Sequence, residues 1–158
     1  MKLELPTTKV TYKLPSILSI DEVQNIIKST ENIKHKLLLI ILYGAGLRVS
    51  EAVNLRITDI DSKRMTLHIR CGKNGKDRFA MLSPVVLGRL RAYWKSCEFN
   101  DYIFPGKGTN HITTSYVYNI YQKAKELAGV KKPGAWTLTK TDPLMLKKID
   151  PPDAHHIY

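Results

Sequence analysis

The chain has 158 residues, of which 43% are hydrophobic, and a formal net charge of +11. That length suits one domain with a real core rather than two, and the apolar content argues against a disordered chain. The positive excess favours a polyanionic partner, of which nucleic acid is the commonest; the longest apolar run, Leu37 to Tyr43, is far too short to span a bilayer.

No signal-peptide pattern opens the sequence, and the expectation is a soluble, cytoplasmic protein with no membrane partner. The cysteines, Cys71 and Cys97, have no metal-like spacing with each other or with histidine. They read as reduced thiols, and neither a metal nor a cofactor is expected.

Residues 1–14 read as a linker, broken by Pro6 and, just beyond it, Pro15. Ser19-Ile20-Asp21-Glu22 has the form of a capping box, with Leu18 and Val23 as the accompanying staple. Ile20, Val23, Ile26 and Ile27 then fall on one face of a helix ending near Ser29. A second helix starts around Asn32 and runs through Leu37-Leu38-Leu39-Ile40-Ile41-Leu42, apolar on every side and therefore central. Gly44 and Gly46 are read as its end. A short helix covers Val49 to Asn54, and Ile57 to Asp61 adds an edge strand.

Met65 to Arg70 and Asp77 to Leu82 alternate as strands, joined by the Gly72–Gly75 turn into a hairpin with a basic tip. Ser83-Pro84 opens another helix, with serine as cap and proline at the first helical position. Val86, Leu90 and Tyr93 form its inner stripe; Arg89, Arg91 and Lys95 lie outside. Ile103-Phe104-Pro105 and Gly106-Lys107-Gly108 form a loop. A last helix runs from Thr114 to Ala128, with Val117, Ile120, Tyr121, Ala124 and Leu127 inward and Gly129 as its stop. Residues 133–158 are an irregular tail, interrupted by Pro133, Pro143, Pro151 and Pro152.

Two basic features carry the chemistry. Arg48 follows a glycine turn at the end of the most apolar helix, where it either pairs structurally with Glu51 one turn later or offers a guanidinium fork to phosphate oxygens. Lys73 sits between glycines on the hairpin tip, as either a solvated turn lysine or an ammonium brought close to a phosphate. Lys76, Arg78, Arg89, Arg91, Lys123 and Lys125 are candidate DNA contacts. Tyr116, Tyr118 and Tyr121 are read as packing groups rather than base-stacking ones.

At this level of detail the chain from Lys13 to Pro133 resembles the catalytic domain of the tyrosine recombinases, the phage-type integrases and Xer-like enzymes. The carriers are Leu18-Ser19-Ile20-Asp21-Glu22-Val23, the arginine box Leu42-Tyr43-Gly44-Ala45-Gly46-Leu47-Arg48-Val49-Ser50-Glu51-Ala52, and Asn54-Leu55-Arg56-Ile57-Thr58-Asp59-Ile60-Asp61. Gly72-Lys73-Asn74-Gly75-Lys76-Asp77-Arg78, Ile103-Phe104-Pro105 and Leu127-Ala128-Gly129-Val130 follow in the family's order.

The resemblance implies an α+β fold, mainly helical with a small antiparallel sheet, and a partial catalytic domain over residues 15–132. It also implies metal-free strand exchange on double-stranded DNA through a phosphotyrosyl intermediate. Arg48 would stabilise the phosphorane, Lys73 would protonate the leaving oxygen, and Glu51 would brace the arginine. Full-length members assemble as homo-oligomers on DNA; the same is not expected of this fragment.

The sequence departs from that pattern after Val130. Trp136 and Thr139 stand where the family's histidine and second arginine would be, and Tyr158 follows too soon after them to match the nucleophile. His155 and His156 read as solvated rather than metal-binding. The expectation is a truncated, inactive chain with its C-terminal part missing and apolar surface exposed; the alternative is a non-catalytic DNA-binding remnant.

Overall fold

The structure, a computed structural model, describes residues 18–70, 75–97, 101–108 and 110–132. The expected linker, Lys73, and the tail with Trp136, Thr139, His155, His156 and Tyr158 lie outside the described residues.

Helix α1 spans Ile20–Lys28 and begins as its sequence dictates. The Ser19 hydroxyl accepts the Glu22 amide at 3.2 Å, and the Glu22 carboxylate accepts the Ser19 amide at 2.7 Å. Two of the free amides that every helix start leaves are thereby satisfied. Val23, Ile26 and Ile27 form its buried face.

Helix α2, Ile33–Ala45, is capped by the Asn32 side chain, which accepts the His35 amide at 3.1 Å. Leu37 to Tyr43 are all buried, because α1, the short helix α3 (Val49–Val53) and helix α4 (Pro84–Ser96) surround α2. Gly44 lies inside α2 rather than ending it. Gly46 alone makes the turn, with φ 60° and ψ 37°. That left-handed conformation is easy for glycine and strained for other residues. Gly46→Ala therefore lowers stability by about 1 kcal/mol, read as a reduced urea midpoint; an unchanged midpoint would contradict the assignment.

After α3 the chain makes a 3-10 turn at Ile57–Asp59 and enters strand β1, Ile60–Asp61. The expected edge strand from Ile57 is thus mostly turn. Strands β2 (Thr66–Ile69) and β3 (Arg78–Met81) complete an antiparallel sheet ordered β1-β2-β3, with Leu67 opposite Ala80 and Ile69 opposite Arg78. Leu67, Ile69 and Ala80 are buried. Phe79 and Met81 point the other way and are exposed.

Helix α4 starts at the Ser83 cap and Pro84 and buries Val86, Leu87, Leu90 and Tyr93 against α2. Helix α5, Thr114–Leu127, packs on α1 and α3 through Val117, Ile120, Tyr121 and Ala124. Leu127 was expected inward but is 63% exposed, since α5 ends there and no described element covers that side of its last turn. Tyr121 is buried, as a packing group should be, whereas Tyr116 and Tyr118 are exposed.

The Ile103-Phe104-Pro105 loop is structural as well as connective. Ile103 and Phe104 are fully buried, and the stretch pairs backbone to backbone with Leu55–Ile57. The Ile103 amide donates to the Leu55 carbonyl and the Ile57 amide to the Asp101 carbonyl, both at 3.0 Å. This pairing sets Tyr102 beside Arg56. Among the described residues no helix is long and apolar enough to cross a membrane.

Candidate functional site

Glu51 organises the basic residues. It sits in the first turn of α3, where its carboxylate reaches back to the amide of Arg48 at 2.8 Å. This is the acidic half of a capping box, in a position that also favours negative charge at a helix start. The same carboxylate accepts Nη1 of Arg48 at 3.1 Å and Nη2 of Arg78 at 2.7 Å. The Glu51 side chain is 4% exposed, while those of Arg48 and Arg78 are 55% and 39% exposed.

One buried carboxylate therefore holds two half-open guanidiniums, one from the glycine turn and one from the hairpin. Burial pushes the Glu51 carboxyl upward. The Arg48 amide, the Arg78 hydrogen bond and the charges of Arg78 and Arg48 outweigh it, so the group titrates below the usual carboxylate value of 4.5. Arg48 thus pairs with Glu51 and still turns an open side to solvent, so its two sequence readings are compatible.

Arg78 is the residue whose role the sequence pattern understated. It was grouped with the hairpin tip, yet in β3 it shares the inward side with Ala80, while Phe79 and Met81 take the outer side. Strand alternation was the available signal. Its inward direction carries the guanidinium to Glu51 and ties the hairpin to α3. Lys76 is exposed just before β3, on the turn side of that hairpin.

The remaining candidates divide. Arg91 and Lys123 are exposed, Arg89 is half-buried, and no hydrogen bond or ion pair joins any of them to the Glu51 cluster among the described residues. Lys125 is a correction. It is buried, and its ammonium donates to the carbonyl of Lys132, so it secures the chain after α5 instead of facing a partner. Counting lysines along a helix could not reveal this, because the chain folds back after Gly129. Lys132 in turn pairs with Glu22 at 3.0 Å.

A second polar cluster went unassigned in the sequence. Asp59 is buried and accepts the Arg56 amide at 2.9 Å and Nε of Arg70 at 2.7 Å. His68, stacked on Phe79, bonds Asp77 at 2.9 Å. The guanidinium of Arg56 lies 5.1 Å from the centre of the Tyr102 ring. The three-residue step from Arg56 to Asp59, a turn-capping spacing, was the clue to this cluster. No group of three or more histidine, cysteine or acidic side chains suited to a metal ion occurs among the described residues.

The sequence model of the phage integrase family matches residues 16–142. The chain is 45% identical over 130 residues to the integrase/recombinase y4qK of Sinorhizobium fredii, an alignment covering 82% of this chain and 42% of that one. It is 41% identical over 108 residues to the tyrosine recombinase XerA of Pyrococcus horikoshii, covering 68% of this chain and 38% of the relative. Among solved structures, that of XerA recombinase matches with a TM-score of 0.66 at 24% identity, over 92% of this chain and 51% of that one. The XerH site-specific recombinase bound to difH substrate, in a pre-cleavage complex, matches with a TM-score of 0.65 at 25% identity, over 89% of this chain and 43% of that one. The chain thus spans about half, or less, of the length of the relatives it matches.

Proposed function

The chain belongs to the phage integrase family, and from that premise we propose that it is the DNA-binding portion of a tyrosine recombinase catalytic domain and cannot cleave DNA by itself. The observation that carries this reading is the Glu51 carboxylate holding Arg48 and Arg78 together, with both guanidiniums half-open. A phosphodiester entering there meets a planar donor fork whose orientation is set before binding. The similarity to XerH, which is bound to difH substrate, agrees with duplex DNA as the partner.

In this reading Arg48 stabilises charge on the scissile phosphate, and Glu51 keeps it aimed. Lys73, which lies between β2 and β3 in the sequence, is the general acid, a role open to an ammonium and closed to arginine at ordinary pH. Lys76, Arg89, Arg91 and Lys123 contact the duplex backbone. Residues 15–132 form the partial catalytic domain; the family match runs on to residue 142, and within that stretch Trp136 and Thr139 stand in place of the second half of the phosphate clamp. Without that half, the transition state is bound on one side only.

The test uses the purified chain and a pool of nicked suicide duplexes with randomised cores. Reversible binding is expected, falling about tenfold or more from roughly 50 to 200 mM salt, since each neutralised phosphate releases counterions. No covalent protein–DNA adduct should accumulate. An adduct resistant to denaturant would overturn the claim of inactivity, and affinity that stays flat with salt would overturn the DNA reading.

A further inference from the structure

Beside Glu51 lies a cavity of about 310 Å³ lined by Ser50, Glu51, Asn54, Arg56, Arg70 and Tyr102. Three pieces of the fold build it. Ser50 on the outer side of α3 and Asn54 just past its end stand one turn apart; Arg70 follows β2; Tyr102 is brought in by the backbone pairing with Leu55–Ile57.

The charges in this cavity are unequal. Its carboxylate, Glu51, is already engaged by Arg48 and Arg78. Arg70 gives its Nε to Asp59 and sets Nη2 3.4 Å from the Thr58 hydroxyl. Arg56 is held by the Tyr102 ring at 5.1 Å and by a 3.4 Å contact from Nη2 to the Tyr102 hydroxyl. Among the described residues no carboxylate accepts from the Arg56 guanidinium. A cation oriented by an aromatic face keeps its in-plane donors for a ligand. A half-buried arginine prepared in this way, with a second arginine and the polar edge of α3 around it, suits an oxyanion such as a phosphate.

We propose that the Arg56–Arg70–Tyr102 cavity is a second phosphate-binding site, taking a backbone phosphodiester of the same duplex that meets Arg48. This rests on the DNA reading given above. The shared wall, Glu51, places the two sites side by side, so one strand running past Arg48 can place another of its phosphates against Arg56. A free phosphate group would satisfy the same donors, and the experiment separates the two sources.

Binding of labelled duplex DNA to the full chain is measured by anisotropy across a salt series for the wild type, Arg56→Gln, Arg56→Lys and Arg48→Gln. Arg56→Gln leaves the backbone amide that caps Asp59 in place. It should weaken binding about 3- to 10-fold at roughly 100 mM salt and flatten the slope of log affinity against log salt by about 0.9, the signature of one lost phosphate. Arg56→Lys should keep the slope and lose only part of the affinity, which also reads the site if Arg56→Gln fails to fold.

Wild-type affinity and slope in both Arg56 variants, with Arg48→Gln weakened, would sink the cavity proposal and leave the DNA reading standing. Salt-independent binding by the wild type would sink both. A parallel thermal-shift titration uses inorganic phosphate alone: stabilisation that depends on Arg56, with no Arg56 effect on DNA, would overturn the duplex as the source.

Discussion

Glu51→Gln destabilises the folded chain by about 2–3 kcal/mol, seen as a lower urea midpoint at neutral pH. Glutamine keeps the volume and one acceptor oxygen, but it removes the charge and turns an NH2 donor toward groups that are all donors. Breaking a buried ion pair from one side usually costs about 3–5 kcal/mol. Here both arginines reach solvent, so water takes over part of their solvation and the lower figure applies. The difference between wild type and variant also depends on pH. The Glu51 carboxyl is held below 4.5 when folded, so its contribution is fully present above the unfolded value and disappears as pH falls through the lower, folded one. Stability measured from neutral to acid pH should show the two chains converging below about 4.5. A gap that stays constant, or a neutral-pH difference under about 0.5 kcal/mol, the ordinary range for a surface change, would show that Glu51 does not tie the turn to the hairpin.

The same residue shows what a sequence can carry. Glu51 stands three after Arg48, a local spacing, and the pairing followed from it. So did the Ser19–Glu22 box, whose two hydrogen bonds depend on neighbours along one turn. Arg78 reaches the same carboxylate from a different element, and its part in the site emerged only once the sheet register placed Arg78 opposite Ile69. Alternation alone offered two faces for β3, and hydrophobicity pointed to the wrong one: Phe79 and Met81 are the larger apolar residues, yet they are exposed. Arg56 and Tyr102 meet through an isolated backbone bridge across a long loop, for which no periodic pattern exists. Lys125 shows the opposite failure. Helical periodicity put it near an outer face, and only the backward course of the chain after Gly129, with Lys132 reaching Glu22, buried its ammonium.

These contacts also tie together elements of the described part that lie far apart in the chain. The hairpin is tied to α3 through Arg78, the long loop to Leu55–Ile57 by backbone pairing, and the segment after α5 to α1 through Lys132. Each joins elements distant in the chain at a place where the apolar core ends. Specific polar contacts of this kind fix how elements are placed; the main driving force lies in α2.

Ile40→Ala should accordingly cost about 3 kcal/mol, within the usual range of about 2–5 kcal/mol for large-to-small changes at sites with no access to solvent. Ile40 is fully buried, and so are Leu38, Leu39, Ile41 and Leu42, which occupy every side of the helix. With α1, α3 and α4 all packed on α2, no single neighbour can shift to fill the lost volume without opening another contact. Leu127→Ala, on the exposed last turn of α5, should change stability by less than about 0.5 kcal/mol, because little apolar surface there leaves water on folding. Urea unfolding of the two variants compares them directly, with a single cooperative transition expected in each. Equal, small losses would mean that α2 is less central than its burial indicates. Since α2 runs straight into the Gly46 turn that presents Arg48, such a result would also remove the rigid base from which the phosphate-facing arginine is held.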